Sequence, residues 1–346
     1  MRELNTFDSD PRECGVTAIT SPSPSNGGTQ IGRRRSSRDM NSVPTRQPYP
    51  DVMAGRWPAL YLGRMIGRLG PAVAALVVLA ASGPAHAVPA EPVPQVMAAL
   101  GDSISSGFNS CGWYVSCPSR SWSAGDNAAV DSHYTRMLRL GPPLKGHNRN
   151  FAVPGSTSAD LMGQVRQAVE AKAGYVTVLI GAQDACKRTE SEMTPVAVYR
   201  SRIDAALAAL RAGVPQARVF LAGIPDLRRL WQVGRESPLA RTFWTVGRIC
   251  QSMLARPASD KRADVERRAR VRERVIAYNR EAARACALMG PSCRSDGGAV
   301  FSYPFTIGHL SKWDYFHPNA AGQRALAERT FARGFDWTGP ALTTLP

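Results

Sequence analysis

The chain has 346 residues, with 43 Lys and Arg against 27 Asp and Glu and a formal net charge of +16. The excess is almost all arginine, and no nucleic-acid motif or basic–aromatic interleaving accompanies it, so a nucleic-acid partner is not expected. Charge of this kind speaks to solubility and weak attraction rather than to a site.

Residues 1–52 are rich in Pro, Ser, Gly, Asn and Arg and carry no sustained apolar periodicity. Such a composition cannot bury enough surface to offset its ordering entropy. Arg64 and Arg68 then precede an apolar run, Leu69–Ala81, and a small-x-small stretch, Ala85-His86-Ala87. This reads as a secretory signal over residues 65–87, cleaved after Ala87. The run is short for a membrane span, although a retained anchor stays open. Residues 1–64 read as a leader or a misplaced start, with Met53 and Met65 as alternative starts. Residues 88–346 read as a single domain, expected to be extracellular and monomeric.

Strands and helices alternate from there. Val96–Leu100 reads as a strand and His133–Leu140 as a short helix. Phe151–Val153 reads as a short strand, followed by a helix over Ser158–Ala171 with Ser156 or Ser158 as its N-cap. Tyr175–Ile180 is a strand, and Pro195–Ala212 a helix ending at Gly213. Arg218–Ala222 is a strand. Residues 227–260 read as a long insertion, Arg262–Met289 as a long charged helix and Asn319–Gly334 as the last helix. The arginines of the long helix read as a solvated face with i,i+4 pairing; contact with lipid headgroups is the alternative. Alternating β and α with apolar strands predicts an α/β fold, a parallel sheet covered on both faces.

Seven cysteines are present. Cys14 lies in the leader. The other six form an even set behind a secretory signal, which reads as three disulfides. Spacing favours Cys111–Cys117 and Cys286–Cys293, each closing a short loop of turn formers, and elimination then pairs Cys186 with Cys250. Zinc is the rival reading, but no Cys-x2-Cys pair occurs. No metal or cofactor is expected.

Gly101-Asp102-Ser103 follows the first strand, and Asp314 and His317 stand near the far end in Asp-Tyr-Phe-His-Pro. A serine at a strand's C-terminal edge can act as a nucleophile if an imidazole takes its proton and a carboxylate orients that imidazole. Pro318 suits the first turn of a helix, which puts His317 on the loop before it. Gly155 and Gly181-Ala182-Gln183-Asp184 also fall just past strand ends, where ligands of parallel sheets bind. Asp102 and Asp184 read as structural holders of turns.

This order resembles the SGNH (GDSL) hydrolase family over residues 95–335: Ser103 in its first block, Gly155 in its second, Gly181 to Asp184 in its third, Asp314 and His317 in its last. Ser121-Trp122-Ser123-Ala124-Gly125 and Ala185-Cys186 look like the secreted, phospholipase-B-like actinobacterial branch. The resemblance implies a three-layer α/β/α sandwich of flavodoxin-like kind. It implies a serine esterase or lipase in which Ser103, His317 and Asp314 are catalytic. The oxyanion would lie against the backbone N–H groups of Ser103 and Gly155 and a side-chain amide at 183. The family carries Asn where this chain has Gln183. The expected substrate is a carboxylic ester, including lipid and phospholipid esters, with transient contact at a lipid surface open. A carbohydrate acetylesterase and an impaired binding protein of the same fold are the alternatives. Aromatic residues cluster in the loops around these blocks; Trp313 and Phe316, which flank the triad residues, are the substrate-pocket candidates.

Overall fold

A computed structural model of the protein describes residues 93–337. The leader, the apolar run, the cleavage site after Ala87 and Cys14 lie outside the described residues. Five strands form one sheet: β1 Met97–Gly101, β2 Asn148–Asn150, β3 Tyr175–Leu179, β4 Arg218–Leu221 and β5 Cys293–Ser295. Their order is β2-β1-β3-β4-β5 and every pairing is parallel. Every residue of β1 and β3 is buried, as a strand covered on both faces requires.

Nine α-helices are described. They are α1 His133–Leu138, α2 Leu161–Glu170, α3 Ala182–Ala185, α4 Val196–Gly213, α5 Leu227–Gly234, α6 Pro238–Val246, α7 Gln251–Leu254, α8 Arg262–Leu288 and α9 Ala320–Phe331. The chain moves from β1 out to β2, then back across the sheet to β5. Right-handed crossovers therefore send α2, α4 and α8 to one face and α1 to the other. In the first layer α4 packs against both α2 and α8. Across the sheet, His133 of α1 is fully buried, with Nδ1 2.8 Å from the Tyr175 hydroxyl and Nε2 2.7 Å from Thr330 Oγ1 of α9. The expected three-layer α/β/α sandwich is the observed fold, and the three disulfides are Cys111–Cys117, Cys186–Cys250 and Cys286–Cys293.

The differences from the sequence reading have local causes. The second strand lies at Asn148–Asn150, just upstream of the expected Phe151–Val153, yet Phe151 and Val153 still donate to Ala99 and Gly101 carbonyls. Asn150 is what ends the strand. Its side chain turns to the Ser105 carbonyl at 2.9 Å and accepts from Ala152 N–H. Ser158 does not cap α2, which has Asp160 at its N-cap; its N–H and hydroxyl both go to Asp184, each at 2.7 Å. The insertion at 227–260 is helical, and β5 is a strand the sequence reading left out.

The long helix α8 is amphipathic beneath its charges. Asp264, Arg268, Val271, Val275, Tyr278, Ala282 and Ala285 are its buried stripe, at alternating spacings of three and four. Arg268 departs from the solvated-face reading: it is 1% exposed and lies 4.1 Å over the Trp231 ring. Arg270, Arg272 and Arg284 pair with Glu190, Asp226 and Asp204. Those cations are engaged with the protein itself, so they lock the helix to its neighbours. Among the described residues no helix is long and apolar enough to cross a membrane.

Candidate active site

The C-terminal edge of β1 ends at Gly101, whose φ is +143°. A Cβ there would stand 2.1 Å from the Leu179 carbonyl oxygen, so only glycine allows β1 and β3 to close up before the turn. Gln164 of α2 clamps the same residue from both sides. Gly101 N–H donates to its Oε1 at 2.7 Å, and its Nε2 donates to the Gly101 carbonyl at 2.9 Å. Asp102 then accepts the Ile104 N–H at 2.9 Å, which closes the turn and presents Ser103 at its head. The expectation that Asp102 shapes the turn agrees with this geometry.

Ser103 Oγ lies 2.8 Å from His317 Nε2, across 214 residues of sequence. His317 Nδ1 lies 2.5 Å from Asp314 Oδ2. Asp314 Oδ1 accepts the N–H groups of Phe316 and His317 at 2.9 and 3.0 Å. Burial alone would raise the Asp314 pKa, but His317 and those two N–H groups hold the carboxyl below its usual range. It therefore stays ionised and can stabilise a protonated imidazole. Asn109 adds a contact the sequence reading missed: its Nδ2 donates to Asp314 Oδ2 at 2.6 Å. Its φ of +58° suits asparagine among non-glycine residues, but nothing in the sequence ties position 109 to 314. The His317 loop is pinned on both sides. Ser311 N–H donates to the His317 carbonyl, and Asn319 caps α9 by accepting the Gly322 N–H.

The other two blocks stand at neighbouring strand ends. Gly155 turns at φ +86°, and a Cβ there would meet nothing within 4 Å. The glycine is required by its backbone conformation, and the space before it is open to a ligand. Gly181 has φ +122°, and a Cβ would press on Ile224 and Tyr199. Gln183 follows in α3, half-buried, and its side-chain amide has no hydrogen-bond partner among the described residues. Asp184 is fully buried and ties this block to the loop after Gly155 through Ser158.

Two pockets open on either flank of His317. The first is narrow and apolar, with a cavity volume of about 50 Å³, and runs from Ser103 and Ile104 to Leu227, Leu230 and Val233 of α5 and to Phe305. That is well below the roughly 300 Å³ of a site that encloses a whole small ligand, so it suits one slender chain. Its α5 wall was hidden in the insertion, although the Leu227, Leu230, Val233 spacing is a helical stripe. The second pocket is wider and of mixed polar and apolar lining, about 390 Å³, and includes Phe108, Gln183 and His317. Phe316 lines both pockets and packs edge-on against the His317 ring at 5.0 Å. Trp313 lines neither; it is 38% exposed, with Lys312 over its ring at 5.1 Å. Phe108, which packs edge-on against His317 at 4.9 Å, takes the place expected for Trp313.

Two buried groups give the folded state an unusual pH response. Burial raises the Asp102 carboxyl to about 7, against the Ile104 hydrogen bond that lowers it. Burial, helped by Arg136, lowers His133 to about 3. Between about pH 4 and 6.5 the folded state holds a proton on Asp102 that the unfolded chain has released. This favours folding at low pH and fades as pH rises. Over the same window the unfolded chain protonates His133 and the folded state does not, which favours folding at high pH. Each slope is about 1.4 kcal/mol per pH unit, and they oppose. Stability should therefore be nearly flat over this window. Asp102→Asn should unmask the His133 slope and lose about 3 kcal/mol between pH 6.5 and 4. Urea unfolding at four pH values checks this; a flat profile in the variant would remove the assigned cause.

A family model described as the GDSL-like Lipase/Acylhydrolase family matches residues 99–325. The chain belongs to that family and is a carboxylic ester hydrolase by class. No curated protein matches it. Among solved structures it is similar to a lipase from a goat rumen metagenome, at 13% identity and a TM-score of 0.43, covering 69% of this chain and 97% of that one. It is also similar to phospholipase A1 from Streptomyces albidoflavus NA297, at 16% identity and a TM-score of 0.41, covering 71% and 100%. A family 3 carbohydrate esterase from Clostridium thermocellum stands at 11% identity and a TM-score of 0.40, covering 69% and 94%.

Proposed function

We propose that the protein is an exported serine esterase that cleaves carboxylic esters with an apolar acyl chain. The observation that carries this reading is the unbroken hydrogen-bonded line Ser103–His317–Asp314 at the mouth of an apolar slot. Ser103 Oγ attacks the ester carbonyl carbon while His317 Nε2 takes its proton. The oxyanion forms against the N–H groups of Ser103 and Gly155, with the Gln183 amide nearby on a stem one methylene longer than the family's Asn. His317 then returns the proton to the alcohol oxygen as the C–O bond breaks, leaving an acyl group on Ser103. Water, deprotonated by the same imidazole, releases the acid. Export rests on the N-terminal apolar run and on three disulfides, which persist in oxidising compartments.

The slot makes a quantitative expectation. Each buried methylene contributes about 0.8 kcal/mol. Two more, from acetate to butyrate, should raise kcat/KM on p-nitrophenyl esters about tenfold. A series from acetate to palmitate measures this. Preference for acetate would move the reading to a carbohydrate acetylesterase, and no turnover on any ester would move it to a binding protein.

A further inference from the structure

Asn109 bears two local penalties at once. Its φ is +58°, a conformation uncommon outside glycine. It is 2% exposed, and its side-chain Oδ1 is buried without a hydrogen-bond partner among the described residues. Either feature is unfavourable unless the surroundings impose it, and such outliers gather at functional sites. The second penalty has a visible origin. Asp314 Oδ2 can only accept, so the amide turns its NH2 end to it and leaves its own oxygen facing the interior.

Among the described residues the Asp314 carboxylate takes four hydrogen bonds. Three come from its own turn: the N–H groups of Phe316 and His317 and the His317 ring. Those donors would travel with the carboxylate if the loop swung. The fourth, Asn109 Nδ2 at 2.6 Å, comes from the segment that starts at the nucleophile. In that segment Phe108 N–H donates to the Ser103 carbonyl and Ser106 N–H to the Asp102 carbonyl. Asn109 therefore ties the loop of Asp314 and His317 to the stretch of chain that carries Ser103. Its carbonyl adds a second tie by accepting from Ser311 Oγ at 2.8 Å, and Ser311 N–H in turn holds the His317 carbonyl.

Asn109 is itself held from behind. Its N–H donates to the Val115 carbonyl at 2.9 Å, inside the loop that Cys111–Cys117 closes. Gly107, at φ +68°, lets that loop fold back, since a Cβ there would stand 2.3 Å from the Cys117 carbonyl oxygen. We propose that Asn109 is a positioning residue of the catalytic line: braced by the Cys111–Cys117 loop, it fixes the Asp314 carboxylate and so keeps His317 Nε2 at reacting distance from Ser103 Oγ. The inference rests on the serine-esterase reading above and lengthens its catalytic line by one member. A second effect follows because Asn109 and the His317 ring share Oδ2. The amide donor tempers the charge that stabilises the imidazolium, so removing it lets the base be lost at a higher pH.

Other charged or titratable groups also face His317. Buried Asp102 acts on it through space. Tyr114, Lys187, Arg188, Glu192 and Arg248 share the wider pocket with it, and Asp226 and His309 share the slot. All of these are common to the wild type and the variants, so a difference in pH profile reports on position 109.

Asn109→Gly removes the amide, keeps both backbone ties and tolerates the positive φ. On p-nitrophenyl butyrate its kcat should fall about 10–100-fold with KM nearly unchanged. The acid limb of its kcat/KM profile should rise by about half a pH unit or more. Asn109→Asp keeps the shape but sets a second carboxylate against Asp314, so its acid limb should rise by about one unit or more. An unchanged kcat in Asn109→Gly overturns the proposal. A fall in kcat with the acid limb unmoved in both variants marks a merely structural loop residue and overturns it as well. Cys111→Ser/Cys117→Ser should change kcat and the acid limb in the same directions as Asn109→Gly, by less; full activity with an unmoved limb overturns the part assigned to the loop. One arm needs no turnover. In Ser103→Ala protein at acid pH the His317 Nδ1–H should give a far-downfield proton resonance, and Ser103→Ala/Asn109→Gly should move it; an unmoved resonance overturns the proposal. A wild-type protein inactive on every ester would count against the esterase reading instead, and the resonance would still decide the place of Asn109.

Discussion

Ser103→Ala is expected to hydrolyse p-nitrophenyl butyrate at least about a thousandfold more slowly than the wild-type protein, and His317→Ala to show a similar loss. The geometry explains why the two should match. The hydroxyl is a poor nucleophile without a base, and among the described residues the base it meets is His317 Nε2 at 2.8 Å. With the serine gone, the imidazole has nothing to activate. The two groups act as one unit, so the double variant should be little worse than either single one. Ser103 is 4% exposed and sits at the head of a turn held by Gly101 and Asp102, so far-UV circular dichroism should not change. Full activity in pure Ser103→Ala would remove the proposed nucleophile.

Gln183→Asn is expected to raise kcat on the same ester about tenfold, with little change in KM. An oxyanion donor works only when its N–H lies about 2.7–3.1 Å from the developing charge. One extra methylene shifts the amide by roughly 1.5 Å on a fixed backbone. The backbone here is constrained, because Gly181 is hemmed by Ile224 and Tyr199, and Asp184 is buried in its bonds to Ser158. The block cannot retreat to accommodate a longer stem. An amide without a partner among the described residues, half-buried in the wider pocket beside His317, matches a donor displaced from the oxyanion position. A missing donor typically lowers kcat by about 10²–10³, so restoring part of it accounts for the expected gain. A fall in kcat would show that the site is built around the longer side chain.

Several residues were legible because their constraint is local. Gly101 before Asp102 and Ser103 marks a close turn, Pro318 sets the loop geometry of His317, and the apolar runs of β1 and β3 mark buried strands. Other residues were not legible because their partners are remote. Asn109 is an ordinary loop residue until Asp314 is folded against it. Gln164 and Gln323 carry no signal in the linear sequence, yet both are buried and hydrogen-bond the backbone around Ser103. Arg268 reads as solvated because its neighbours are charged, and only the stripe of α8 turns it inward onto Trp231.

The blocks around Ser103, Gly155, Gln183 and His317 came from the resemblance to a family. Alternation of apolar strands with helices was enough to predict a parallel sheet covered on both faces, and short-range turn chemistry the pairing of cysteines with short spacing. These depend on periodicity and on neighbours in the chain, both of which are written directly in the order of residues. Only the tertiary structure decided which side chains share the edge of the sheet. It put α5 along the apolar slot, brought Phe108 and Gln183 to one pocket beside His317, and buried Asp102 and His133 deeply enough to move their protonation. Those properties depend on distance through space and on exclusion of water, and a linear sequence carries neither until the chain has folded.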